Sequence, residues 1–133
     1  MNNSIAFLQA SLRGTKQSLH MQINVTDFIF IFDHGFPTSG CVYIMTNKFH
    51  KVLYVGVTSN IIGRVYDDKN KTYPDSFTAK YNCNKLVYYM FYPHIEEAIA
   101  VEKAVKGGNR KSKMALVNSI NPDWKDLYDD LLD

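Results

Sequence analysis

Two short runs of β-branched and aromatic residues, CVYIMT at 41–46 and KVLYVGV at 51–57, flank the polar connection NKFH and together predict a β-hairpin. Setting Tyr43 opposite Tyr54 pairs Met45 with Val52 and places the turn at Lys48 and Phe49. Side chains alternate along a strand, so both tyrosines then share one face, with Gly56 opposite Cys41 beside them. Thr58, Ser59 and Asn60 follow as capping candidates for a helix that runs through about Lys69. Ile61, Ile62, Val65 and Tyr66 form its expected buried stripe, while Asn60, Arg64 and Asp68 recur at four-residue spacing on another face.

Beyond this helix, residues 73–84 read as a loop with a short helical turn after Pro74. The continuous apolar run LVYYMFY at 86–92 predicts a central strand covered on both faces. A second helix is expected from about His94 to Gly107 and Gly108, and a third from about Arg110 to Ser119, ending before Pro122. This order predicts a small α/β sandwich over residues 40–133, a short, mainly antiparallel three-stranded sheet flanked by helices. Residues 1–39 are an N-terminal extension, poorly structured or holding one added strand at VTDFIFIF.

One position contradicts its own pattern. On the second helix Ile95, Ala98, Ile99 and Val105 make a core-facing stripe, and Glu102 falls on it at i+7 from Ile95. An unpaired buried carboxylate costs several kcal/mol, so Glu102 requires a cation or a proton. A structural ion pair, a stripe edge reaching solvent and a metal ligand all meet that requirement. Arg64 and Asp68 also have the spacing of a plain surface pair, worth about 0.2–0.5 kcal/mol.

Composition narrows the classes. With 46% hydrophobic and 21% charged residues, the chain is globular rather than disordered. The net charge of +2 does not by itself call for a polyanionic partner. Basic residues nevertheless cluster at Lys103, Lys106, Arg110, Lys111 and Lys113 beside an acidic tail at Asp126, Asp129, Asp130 and Asp133, a pattern that suits a nucleic-acid surface and a solvated helix face equally. Cys41 and Cys83 form no CxxC pair and the four histidines show no ligand spacing, which argues against a zinc site or a disulfide framework and for a cytoplasmic protein. FIFIF at 28–32 is too short to cross a bilayer, so no membrane association is expected.

Taken in order, Cys41-Val42-Tyr43, Tyr54-Val55-Gly56, Arg64 and Glu102 within EEAIAVEKAVKG resemble the GIY-YIG nuclease superfamily, in particular its small stand-alone bacterial members. FTAKYN at 77–82 and INPDWKDLY at 120–128 are similar to segments of those members. The resemblance implies metal-dependent hydrolysis of a nucleic-acid phosphodiester, most naturally DNA. In that scheme one divalent cation, Mg²⁺ or Mn²⁺, binds Glu102, Arg64 clamps the phosphate, Tyr43 is general base and Tyr54 assists. Nucleic-acid contacts are expected at Gly56, Lys69, Lys80, Tyr81, Lys106 and Arg110.

The sequence departs from the family pattern in three places. Cys41 replaces the usual glycine, Asp68 stands where histidine is usual, and Gly108 and Asn109 stand where tryptophan and arginine are common. An aspartate accepts a proton from tyrosine only if its pKa is raised. The alternative expectation is therefore a DNA-binding module of the same fold with impaired catalysis.

Overall fold

The computed structural model describes residues 39–133; the strand expected within 25–32 lies outside the described residues. Strands β1 (Gly40–Thr46) and β2 (Leu53–Thr58) form the hairpin, but its register differs from the expected one by two residues. Tyr43 pairs with Gly56, Met45 with Tyr54 and Cys41 with Thr58. Local side-chain bonds cause the shift. Asn47 Oδ1 accepts from the backbone N–H groups of Lys51 (2.8 Å) and Val52 (3.4 Å). Thr46 Oγ1 donates to the Val52 carbonyl at 2.7 Å, and His50 takes a left-handed φ of 57°. These bonds hold residues 47–52 in the loop instead of the ladder. Because the slip is even, every side chain keeps its face.

Strand β3 (Lys85–Tyr92) joins the other side of β1, antiparallel, giving the order β2-β1-β3. The central strand is thus β1, buried along its whole length, and the expectation that 86–92 is central is corrected. Leu86, Val87 and Tyr88 are buried, whereas Met90 and Phe91 are exposed. The outer edge of β3 is held at its start by the C-terminal tail. Leu127 N–H donates to the Leu86 carbonyl at 2.8 Å, and Asn121 Nδ2 donates to the Val87 carbonyl at 3.0 Å. An apolar run covered by a tail reads in sequence like one covered by strands.

Helix α1 (Ile61–Asn70) closes over the sheet face that carries Cys41, Tyr43, Met45 and Tyr54. Asn60 caps it, with Oδ1 accepting from Gly63 N–H at 3.2 Å. A one-turn helix α2 (Phe77–Lys80) packs nearby. On the opposite face α3 (Ile95–Gly107) and α4 (Arg110–Ile120) bury Ile95, Ala98, Ile99 and Val117 against Val42, Ile44, Val55 and Val57. A short α5 (Tyr128–Leu132), not expected from the sequence, lays Tyr128 and Leu131 against the α1 side. No described helix is long and apolar enough to cross a membrane.

The expected stripe of α1 also needs correction. Ile61 and Val65 are buried, but Ile62 and Tyr66 face solvent at 43% and 56% exposure, while Arg64 and Asp68 are buried. The polar face of this helix points inward.

Gly40, where α3 crosses β1, leaves no room for a side chain. A Cβ there would lie 2.5 Å from Ile95 Cδ1, 2.8 Å from Ala98 Cβ and 3.2 Å from Ile95 Cα. Gly40→Ala is expected to displace α3 and cost about 1–3 kcal/mol, read as a lower urea midpoint; an unchanged midpoint would contradict this packing.

Candidate active site

The hairpin fixes the first two groups. Tyr43 and Tyr54 sit on the α1 face with ring centroids 6.2 Å apart, both buried. The Tyr43 ring lies directly over Gly56, where a Cβ would come within 2.6 Å of both Cζ and Oη. Gly56 therefore makes the space for the Tyr43 phenol and lies beneath it. Cys41 is buried two residues away, opposite Thr58, and does not occupy this space.

Helix α1 supplies Arg64, which explains the inward polar face. Its Nη2 donates to Tyr54 Oη at 2.9 Å. The guanidinium carbon stands 5.7 Å from the Tyr43 ring centre and 5.9 Å from that of Tyr54. Its Nε lies 3.7 Å from Asp68 Oδ1, one turn along. Thr78 Oγ1, on α2, donates to the same carboxylate oxygen at 2.8 Å. A buried guanidinium is tolerable only when paired and hydrogen-bonded, and two phenol rings, a hydroxyl and a carboxylate meet that condition. Burial pushes the Asp68 carboxyl up from its ordinary range, opposed by Arg64 and the Thr78 hydroxyl. Burial likewise pushes Tyr54 up to about 12 against the pull of Arg64, with Asp68 and Glu102 adding to the rise.

Helix α3 supplies Glu102. Its side chain is fully buried, and neither carboxylate oxygen has a hydrogen-bond partner. Burial pushes its pKa up to about 8, opposed by Lys106 and Lys103. Lys106, one turn on, places its ammonium 5.5 Å from the Tyr54 ring centre, and its own pKa is lowered by burial against the opposing effect of Glu102. Tyr43, Tyr54, Arg64, Asp68, Glu102 and Lys106 thus form one electrostatic cluster.

An orphaned buried carboxylate suits a hard divalent cation, which takes oxygen ligands and, for Mg²⁺, keeps several waters around one or two carboxylates. Among the described residues no group of three or more His, Cys, Asp or Glu converges. The donor set therefore fits a hydrated ion on a single carboxylate, not an all-protein cage.

The other expected contacts are spread more widely. Lys80 and Tyr81 are exposed at the end of α2, and Phe77 links Tyr81 to Tyr54 through ring centroids 4.6 and 5.6 Å apart. Lys69 is held by the Asp126 carboxylate and the Asn84 carbonyl, the latter at 2.9 Å. Arg110 Nη1 donates to the Lys51 carbonyl at 3.0 Å and so ties α4 to the hairpin loop. Asn109, one of the departures, caps α4 by accepting from Ser112 N–H at 2.8 Å. Sequence reasoning missed Thr78, whose only signal was its place in FTAKYN. It also missed the electrostatic effect of Lys106 on Glu102, although their i, i+4 spacing was visible.

A family model described as the GIY-YIG catalytic domain matches residues 39–115, more than half of the 133-residue chain. No curated protein and no solved structure matches the chain.

The raised Glu102 pKa gives a signed prediction for protein kept free of divalent ions. Between the ordinary value of 4.5 and about 8 the native state retains a proton that the unfolded chain has released. The native state binds more protons there, so Glu102 makes stability fall as pH rises through that window. Glu102→Gln is expected to raise the urea midpoint at pH 8 in EDTA, with much less effect at pH 4.5. Equal effects at the two pH values would contradict a protonated buried carboxyl.

Proposed function

The chain belongs to the GIY-YIG catalytic-domain family, and from that premise we propose that it is an endonuclease hydrolysing nucleic-acid phosphodiester bonds, DNA in the first instance, with one Mg²⁺ or Mn²⁺ held by Glu102. The observation that carries the proposal is a buried cluster in which a guanidinium meets two phenols while the Glu102 carboxylate, without a hydrogen-bond partner, acts electrostatically on Tyr54. Separate stability requirements do not call for that combination.

The cation, when bound, supplies Lewis-acid charge to the phosphate and leaving oxygen. Tyr43 Oη takes the proton of the attacking water. The Arg64 guanidinium stands 5.7 Å from the centre of its ring, and a tyrosine acting as base near neutral pH needs positive charge nearby. Tyr54 serves differently. Held near 12, it keeps its proton at neutral pH and acts as a donor that orients the phosphate, not as a second base. Arg64 stabilises negative charge developing on the phosphate oxygens, worth more inside a water-poor site than in solution. Asp68, anchored by Thr78, positions the guanidinium.

A second reading has its own support. The Nε of Arg64 faces Asp68, so part of its charge is already answered within the protein, which favours a nucleic-acid-binding module with weakened chemistry.

Wild-type protein with Mg²⁺ or Mn²⁺ is expected to nick DNA, and Glu102→Ala and Tyr43→Phe each to slow cleavage at least about 100-fold. Retained activity in Tyr43→Phe would remove its role as base. DNA binding without cleavage by the wild type would favour the second reading. Asp68→His separates the two further: a rate increase would mark the aspartate as a handicap, and a loss would mark it as the anchor of Arg64.

A further inference from the structure

The hairpin loop carries a feature that the site does not use. Where β1 ends and β3 begins, Lys48, Lys69, Asn84, Lys85 and Asp126 line an open trough of about 510 Å³. Three ammonium groups face one carboxylate there, and that carboxylate already holds Lys69. Lys85 Nζ lies 3.0 Å from His50 Nε2, and Lys48 lies 5.4 Å over the ring of Phe49. Among the described residues neither Lys48 nor Lys85 pairs with a carboxylate. Phe49 at the loop tip is 73% exposed, the most exposed large apolar side chain among the described residues. An aromatic tip beside two unneutralised lysines has no use in the core. It matches what a nucleic-acid strand requires, point charges for phosphates and a ring for a base or sugar.

We propose that this trough is a second, non-catalytic subsite for the nucleic-acid backbone, with Lys48 and Lys85 contacting phosphates and Phe49 stacking on the strand. The assignment rests on the nuclease reading. The trough lies on the α1 side, since Lys69 is in the last turn of the helix that carries Arg64. Lys48 lies in the turn two residues past the end of β1, and the three extended residues from Tyr43 to Thr46 alone span about 10 Å at ~3.3 Å per residue. With a rise of ~3.4 Å per nucleotide, that span sets the subsite at least about three nucleotides from the bond cleaved.

The test uses Glu102→Gln protein, expected to bind without turnover, and fluorescently labelled DNA oligonucleotides shortened stepwise from one end. Adding Lys48→Ala and Lys85→Ala together is expected to weaken binding about tenfold only on oligonucleotides long enough to reach the trough, at least about three nucleotides past the cleaved bond. The dependence of log K on log salt should also flatten by about 1.5. On shorter oligonucleotides the two proteins should bind alike. Equal affinity and salt slope at every length would overturn the subsite and leave the nuclease reading standing. An equal loss at every length would also overturn it, by showing a charge effect with no fixed place on the strand. Lysine-dependent binding without cleavage by the wild type would keep the subsite and overturn the nuclease reading.

Discussion

A guanidinium buried under a helix is the constraint on which the rest of this structure depends. Arg64 has little contact with water, so each of its surroundings must answer its charge. Tyr54 accepts a hydrogen bond from it, the two phenol rings face it, and Asp68 lies within ion-pair distance. Asp68 in turn is buried beside that guanidinium with Thr78 donating to it. Rotating α1 to satisfy this network turns Ile62 and Tyr66 out to water. The helix gives up apolar burial on one side to hold one cation in place. A plain core would have made the opposite choice, which is why the network reads as functional.

The second constraint is geometric. Tyr43 occupies its place because its cross-strand partner is Gly56, and no larger residue leaves room for the ring. The glycine therefore belongs to the site through the space it leaves. Glu102 approaches from a different helix and carries the remaining charge, with Lys106 beside it. In the proposed reaction the elements divide the chemistry. The hairpin presents a base and a donor, α1 a phosphate-binding cation, and α3 a metal ligand. In that reaction Tyr54, pushed up to about 12 by burial, keeps its proton while Tyr43 is the base, so that two like side chains would do unlike work.

Much of this was legible in the sequence. The ordered tyrosines, Gly56, Arg64 and Glu102 pointed to the family, and helix limits followed from Asn60 before α1 and from Gly107 and Gly108 at the end of α3. What could not be read depended on long-range or competing local bonds. The hairpin register was set by Asn47 and Thr46 bonding to the loop backbone, which alternation cannot reveal. The orientation of α1 was ambiguous because its polar and apolar faces share one period. The edge position of β3 depended on Asn121, Asp126 and Leu127, some forty residues later. Lys69 and Arg110 looked like free basic contacts, yet their long side chains reach partners 57 and 59 residues away.

The central claim is that Tyr43 activates water for a single attack on phosphorus and does not itself bond to the phosphate. Cleavage of DNA carrying one phosphorothioate of defined configuration at the scissile position, run in ¹⁸O-water, tests it most directly. One in-line displacement by water predicts inversion of configuration at phosphorus. Retention would contradict the account, because it requires two displacements and a covalent intermediate on the protein.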